Sequence, residues 1–169
     1  MKHIFFLLIA GCCFLHPKNS KAQTASADNV PTRTTSTKPL ASGPSVLGVF
    51  EGRPPCSEIA RQLKIPVSAE CTKLKWGLTL YQDPNSLTPT TYKLEGSLFR
   101  EKPREGKWAI VKGTKSNPDA VVYQLDPDKP GDSFYLLKGD ENVLFILDEN
   151  RNLRVGNIDF SYTLNRVTN

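Results

Sequence analysis

The chain has 169 residues, of which 22 are Lys or Arg and 17 are Asp or Glu, and its formal net charge is +5 at pH 7. A chain of this length predicts about one domain. Charges of both signs alternate in segments such as residues 102–105 and 148–151, whereas a nucleic-acid-binding surface needs a concentrated basic patch. We therefore expect no nucleic-acid partner.

The N-terminal segment, residues 1–22, predicts a signal peptide. Lys2 precedes an apolar run over residues 4–15, and the short polar stretch that follows ends at Ala22. A basic start, an apolar centre and a small-residue exit are the features of secretory signals. The apolar run is shorter than the roughly 20 residues that span a bilayer. A buried N-terminal helix is the alternative interpretation.

The site of cleavage decides between two destinations. Cleavage after Ala22 would release a soluble protein into the periplasm or the medium. Residues 9–12, Ile-Ala-Gly-Cys, also fit a lipobox, and processing there would leave a lipid on Cys12 and anchor the protein in the outer membrane. The apolar run continues beyond Cys12, which favours soluble export. A lipid anchor of this kind is the only membrane contact that we expect.

Removal of the signal peptide changes the chemistry that remains. Both histidines, the only methionine and three of the 22 basic residues lie within residues 1–22, which leaves 19 basic residues against 17 acidic ones. Residues 23–45 are rich in Thr, Ser, Pro and Ala, and such a segment buries too little apolar surface to offset its ordering entropy. They predict a flexible leader, which a folded domain over residues 46–169 follows.

The domain opens with a short strand and a short helix. Residues 46–50 predict the strand, which Gly52 and the two prolines after it end. Residues 56–64 predict the helix, because Ile59, Ala60 and Leu63 recur at helical spacing. Pro66 follows and should stop it.

Strands dominate the rest of the chain. Apolar and polar residues alternate with the period of two that a half-buried strand requires, and turn-forming residues separate the runs. Residues 139–142 predict a hairpin turn. The predicted strands cover residues 73–81, 92–98, 108–111, 120–125, 134–137, 143–147 and 160–165.

These elements predict an all-β fold. With no crossover helices between them, the strands should be antiparallel, and a meander of about eight strands closes into a small barrel that leaves few exposed edges. One short helix should lie near its N-terminal end. We expect the aromatic residues at inward positions to fill the core, and their lining of an apolar pocket is the alternative; they are Trp76, Tyr92, Trp108, Phe134, Phe145, Phe160 and Tyr162.

Four segments, in this order, resemble the N-terminal domain of the NlpE copper-resistance lipoprotein family. They are residues 50–56 (Phe-Glu-Gly-Arg-Pro-Pro-Cys), 106–108 (Gly-Lys-Trp), 143–148 (Val-Leu-Phe-Ile-Leu-Asp) and 160–164 (Phe-Ser-Tyr-Thr-Leu). The resemblance covers roughly residues 46–167. It implies a lipocalin-like barrel with links to copper tolerance, adhesion and envelope stress signalling.

The chain departs from that family at its Cys-x-x-Cys pair, because Ile59 stands where the second cysteine is expected. The departure weakens any metal role that rests on the motif. The next cysteine, Cys71, lies beyond the predicted helix. In an oxidising compartment two remaining cysteines predict a disulfide, here Cys56–Cys71. A Cu(I) site or a redox pair at the same two sulfurs is the weaker alternative, since soft thiolates select Cu(I) but no Met or His remains to join them.

The remaining residues argue against an enzyme. Ser-His-Asp and Cys-His catalysis need an imidazole, as does a typical zinc site, and none remains after processing. Carboxylate pairs could serve a glycosidase, but nothing around the candidates, Glu51 with Glu58 and Asp148 with Glu149, marks them out. We expect no catalytic residues and no cofactor.

Three functions stay open. The first is an exported envelope module in the style of NlpE, which acts through a protein partner in stress signalling or copper homeostasis. The second is a lipocalin-like carrier of a small apolar ligand. The third is copper or redox work at Cys56 and Cys71. Arg53 and Arg61, near Cys56, could contact a partner, although simple solvation is the more ordinary role for such residues. The identity of the partner or ligand is not encoded in any motif.

Overall fold

The computed structural model describes residues 31–34 and 37–169. The predicted signal peptide, with the lipidation candidate Cys12, and much of the predicted leader lie outside these residues. No helix in the described ranges is both long and apolar enough to cross a membrane.

The predicted all-β meander barrel is confirmed. Strands β2 to β9 pair antiparallel, each with the next along the chain, and β9 pairs with β2 to close an eight-stranded barrel. Helix α1 spans Cys56–Gln62, and a 3-10 turn spans Pro130–Asp132. The strands are β1 Thr32–Arg33, β2 Val46–Gly52, β3 Trp76–Gln82, β4 Pro89–Gly96, β5 Phe99–Lys112, β6 Val121–Leu125, β7 Phe134–Lys138, β8 Val143–Ile146 and β9 Thr163–Thr168.

Strand β1 was not predicted and lies within the segment interpreted as a flexible leader. It pairs parallel with the end of β9, where Thr32 faces Val167 and Arg33 faces Thr168. Strand β2 pairs with β9 only at Asn165 and Arg166, and it therefore leaves the edge of β9 open at the last residues of the strand. Strand β1 pairs with β9 at this open edge, because an unpaired strand edge readily accepts another strand.

Strand β5 is also longer than predicted. It begins at Phe99 rather than Trp108, and its first half carries exposed charged side chains. Alternation of apolar residues is absent there, yet the backbone pairs with β4 at Arg104, Glu105 and Gly106. Tertiary pairing overrides the weak local β propensity of these residues.

The inner face of the barrel is filled by side chains. Trp76, Tyr92, Trp108, Phe134 and Tyr162 are each at most 5 % exposed and belong to one apolar cluster. The prediction that the aromatic residues pack as core is confirmed for these five. Leucines from six of the barrel strands complete the cluster, among them Leu78, Leu80, Leu94, Leu125, Leu136, Leu144 and Leu164.

The prediction was wrong for Phe145 and Phe160. In β8 the residues that point inward are Leu144 and Ile146, so Phe145 lies on the outer face, where its ring covers Gly139. The run is apolar on both faces, and its alternation therefore does not say which face is buried. Phe160 precedes β9 and lies under the ammonium group of Lys73, 5.1 Å from the ring centre.

The two ends of the barrel differ. One end, here called the capped end, carries α1, the β6–β7 connection and the long β8–β9 connection, residues 147–162. The opposite end carries the β3–β4, β5–β6 and β7–β8 turns. The antiparallel register places the starts of β3, β7 and β9 at the capped end.

At the opposite end Leu87 offers a stability test. Its backbone has φ +56°, a left-handed conformation that costs a leucine roughly 1–2 kcal/mol, and its side chain is 64 % exposed. Asn tolerates this conformation better than other side chains do. We expect Leu87→Asn to raise the free energy of unfolding by about 0.5–1 kcal/mol, measured by urea denaturation. A loss of stability would contradict this view of the turn.

Candidate functional site

The disulfide Cys56–Cys71 fixes the cap. Its Cα atoms are 5.7 Å apart, and Cys56, the first residue of α1, is fully buried. Around it the backbone amide of Cys56 donates to the carbonyl of Thr72 at 3.2 Å, and that of Leu74 donates to Pro54 at 2.9 Å. The two chain segments that flank α1 are thus held together as a pair.

The disulfide bears on the metal candidates. Because the sulfurs of Cys56 and Cys71 are bonded to each other, neither is available as the thiolate that binds Cu(I). A site there would first require reduction of the bond. Within the described residues no group of three or more His, Cys, Asp and Glu side chains is placed to hold a metal ion.

A polar cluster joins α1 to the β8–β9 connection. Arg154 donates from Nη1 to Glu58 Oε2 at 3.1 Å and from Nη2 to Gln62 Oε1 at 2.5 Å. Its guanidinium lies 5.4 Å from the centre of the Tyr162 ring. Tyr162 donates its hydroxyl proton to the same Glu58 oxygen at 2.8 Å. Arg154 is only 10 % exposed in its side chain, so this cluster fixes the connection firmly against the helix.

The electrostatics of the cluster follow from that packing. Burial and the hydrogen bond to Glu58 raise the pKa of Tyr162 to about 12. The phenol therefore stays neutral at ordinary pH and serves as a hydrogen-bond donor. The side-chain amide nitrogen of Gln62 is buried and has no acceptor within the described structure, and a water molecule is the ordinary partner for such a group.

Three of the four acidic candidates, Glu58, Asp148 and Glu149, line one cavity at the capped end, whereas Glu51 lines a different one. Glu51 accepts from the hydroxyl of Thr34 with both oxygens at 3.1 Å, whereas Glu58 is held by Arg154 and Tyr162. Asp148 closes a turn by accepting from Asn150 and Asn152. Burial alone would raise the pKa of Asp148, but these hydrogen bonds outweigh it and lower that pKa.

Exposed apolar side chains distinguish the β8–β9 connection. Leu153 is 57 % exposed, Val155 91 % and Ile158 100 %, and these three residues are here called the apolar loop. The loop is nonetheless built firmly, since Leu153 bridges to the buried Leu147 and Asn157 accepts from the amide of Phe160 at 2.7 Å. Grouped apolar exposure on an ordered element is typical of an interaction site.

Sequence reasoning missed the apolar loop. Its residues are isolated among Asn, Asp, Gly and Arg, so no periodic pattern selects them. The available signal was the length of the segment, because a long connection in a small barrel is often functional.

The two arginines named from the sequence lie in different places. Arg61 lines a cavity of about 380 Å³ beside Glu58, Lys64 and Arg154 at the capped end. Arg53 lines a different cavity, on the outer side of the barrel. The structure therefore separates them.

A second polar cluster, also missed from the sequence, lies where β4 and β5 meet the β6–β7 connection. Tyr92 donates to Asp126 Oδ2 at 2.6 Å, and Arg104 donates to the same oxygen from Nη2 at 2.8 Å. Asp126 is 4 % exposed and has φ +55°. Burial and the bond to Asp126 raise the pKa of Tyr92 well above its usual range. We call these three residues the Tyr92–Arg104–Asp126 cluster.

That cluster needs Gly106, which faces Tyr92 across the β4–β5 pair. A Cβ atom on Gly106 would overlap Asp126 Oδ1. Arg104 also donates to the carbonyl of Asp132 at 2.6 Å, so the cluster ties down both ends of the β6–β7 connection. These contacts hold the three side chains in fixed positions relative to β4, β5 and the β6–β7 connection.

The four segments that resemble the NlpE family fall at the end of β2 with the start of α1, in β5, in β8 and at the start of β9. Comparison of the chain with protein-family models, with curated proteins and with solved structures finds no match.

Proposed function

We propose that this is an exported envelope protein that acts by binding another protein through the apolar loop. The exposure of Val155 and Ile158 on a firmly held connection carries the proposal. The signal-like N-terminal segment and the ordered NlpE-like motifs support the location. A surface that is already ordered loses little conformational freedom on binding, which favours affinity.

The chemistry of the partner follows from the apolar loop itself. The cavity at the same end of the barrel is lined by charges of both signs, with Arg61, Lys64 and Arg154 beside Glu58, Asp148 and Glu149. The side chains of Val155 and Ile158 are apolar and exposed. A protein partner with an apolar pocket fits such a surface.

The filled interior gives the carrier hypothesis little support. The cavities found at the surface are bordered by charged residues, as at Glu58 and Arg61 or Arg33 and Lys75, whereas carrier sites are predominantly apolar. The link to copper rests on the family resemblance. The intact disulfide leaves no thiolate at Cys56 or Cys71 for Cu(I).

The test is photo-crosslinking in intact cells, with a photoreactive amino acid in place of Ile158. We expect a discrete adduct with another protein. In the exported protein purified with that partner, Val155→Asn combined with Ile158→Asn should weaken binding by at least about tenfold. The free energy of unfolding should change by less than about 0.5 kcal/mol, because both side chains are already exposed.

Leu87→Asn is the matched control. It makes the same apolar-to-polar change at an exposed site of the opposite end and should leave the adduct and the affinity unchanged. Equal loss in both variants, an adduct with the mass of two copies of the chain, or no adduct at all would contradict the proposal.

A further inference from the structure

A concave surface on the outer side of the barrel gathers positive charge. It has a volume of about 460 Å³ and lies where β1, β2 and β3 approach one another. Among the described residues, three basic side chains line it, Arg33, Arg53 and Lys75, and one acidic side chain, Glu51. We call it the outer cavity. It shares no lining residue with the cavity beside the apolar loop.

The fold brings these three cations together from distant parts of the chain. Arg33 ends β1, Arg53 directly follows β2, and Lys75 directly precedes β3. Because Gly52 pairs with Trp76, the ends that carry Arg53 and Lys75 are neighbours. The unpredicted pairing of β1 with β9 supplies Arg33 as the third.

The cations lack partners of their own. Within the described residues none of the three side chains forms an ion pair or a hydrogen bond. The carboxylate of Glu51 is instead engaged by the hydroxyl of Thr34. The three side chains are exposed, so their charges face the solvent from which an anion would enter.

The floor of the outer cavity leaves room for such an anion. Gly77, which faces Glu51 across the β2–β3 pair, exposes bare backbone, and a Cβ atom built there would meet no atom within 4 Å. A side chain at this position would occupy the space between the cations.

We propose that the outer cavity binds the phosphate group of a small phosphate monoester or of a phosphate-bearing lipid. Two arginines provide planar donors that match phosphate oxygens in pairs, and the lysine adds a point charge. The volume lies within the range of small-molecule sites, so the phosphate would carry an organic group. The net positive lining would favour a dianionic phosphate over a single carboxylate.

The first experiment is an NMR titration of the exported protein with glycerol 3-phosphate at constant ionic strength. We expect saturable shifts of the Gly52 and Gly77 amides, with a Kd of about 1 mM or lower, and much weaker effects of acetate. Shifts that rise linearly without saturation, or acetate shifts of equal size, would overturn the proposal.

Variants separate a site from general charge. Arg53→Gln and Lys75→Gln should each weaken binding by about tenfold. Gly77→Glu should abolish it while leaving the fold intact, since the added side chain enters open space. Lys112→Gln is the control. The substitution removes one positive charge, as the other two do, but Lys112 is exposed on β5 and lies outside the outer cavity. Equal weakening by Lys112→Gln would show a net-charge effect and refute the site.

Vesicles distinguish the two sources of phosphate. The protein is sedimented with phosphatidylcholine vesicles that contain phosphatidic acid. If Lys75→Gln abolishes the cosedimentation and Lys112→Gln does not, the ligand is a lipid headgroup. Saturation by glycerol 3-phosphate without vesicle binding would identify a soluble compound. If neither probe binds in a Lys75-dependent way, the proposal fails, and the protein-binding role of the apolar loop is unaffected.

Discussion

Replacing Asp126 by Ala is expected to lower the free energy of unfolding by about 3–5 kcal/mol, which is the usual cost of removing one partner from a buried ion pair. Arg104 would keep a side chain that is only 17 % exposed without its carboxylate. The hydroxyl of Tyr92 would lose its acceptor at 2.6 Å. Ala also tolerates the left-handed backbone at this position less well than Asp does.

Urea denaturation of the purified variant measures this loss. Asp128→Ala is the matched control, since Asp128 is exposed two positions further along the same connection and should cost less than about 0.5 kcal/mol. Asp126→Asn keeps an oxygen acceptor and a side chain that accepts φ +55°, and it should lie between the two. A cost below about 1 kcal/mol for Asp126→Ala would mean that the cluster is not held as the structure shows.

A double-mutant cycle isolates the ion pair from the tyrosine. Arg104→Met removes the cation and keeps its aliphatic stem, so the Arg104→Met, Asp126→Asn double variant should be less destabilised than the sum of the two single variants. A coupling of about 1–3 kcal/mol is expected for residues in one buried network. Full additivity would contradict a direct Arg104–Asp126 interaction.

The same cluster shows why part of the structure escaped sequence analysis. Tyr92 was placed correctly in the core by its alternation with polar neighbours. Arg104 and Asp126 are separated by 22 positions, and both stand among other charged residues. Their contact depends on the register of the β4–β5 pair and on Gly106, which has no side chain to displace Asp126. Neither feature can be read from the local pattern of apolar and polar residues.

The strands that were predicted well share one property. In β3 the inner face carries Trp76, Leu78 and Leu80, and the positions between them are Gly77, Thr79 and Tyr81. The alternation therefore indicates both the strand and its buried face. In β8 every position is apolar, and Phe145 was assigned to the wrong face. Strand β1 has no apolar period, and it forms because β9 leaves an unpaired edge. The alternation of apolar and polar residues therefore predicts that a segment is a strand. Which of its faces is buried and which strands it pairs with depend on the surrounding structure.

The capped end was predicted in part. The helical spacing of Ile59, Ala60 and Leu63 predicts helix α1, and the two remaining cysteines predict the disulfide. The helix ends at Gln62, two residues earlier than predicted, because Lys64 takes a left-handed conformation with φ +56°, a common way for helices to end. The salt bridge from Glu58 to Arg154 joins residues 96 positions apart, which is why the apolar loop could not be assigned to this end.

Removal of the disulfide should affect both stability and the apolar loop. The 15-residue separation of Cys56 and Cys71 predicts a loss of about 3 kcal/mol for the Cys56→Ser, Cys71→Ser double variant in the chain-entropy model. For a domain of this size that lowers the Tm by roughly 10 °C. Thermal unfolding of the variant and of the wild-type protein, with and without reductant, measures the effect.

Reductant is the internal control for this prediction. It should lower the Tm of the wild-type protein towards that of the double variant and should leave the variant unchanged. Cys56 is fully buried, so a single Cys71→Ser variant should leave a thiol that reacts with a thiol reagent only on unfolding. Wild-type protein with the same Tm in both conditions would contradict a stabilising disulfide.

The consequence for the proposed binding surface follows from the contacts of α1. The disulfide fixes the helix, Glu58 on the helix holds Arg154 at 3.1 Å, and Arg154 precedes Val155 in the apolar loop. We therefore expect faster amide exchange at residues 153–158 in the double variant, because the loop loses its anchored support. Exchange in the Asp83–Thr88 turn, at the opposite end of the barrel, should change much less. Equal acceleration at both ends would show global loosening, and the disulfide would then stabilise the barrel without organising the partner surface.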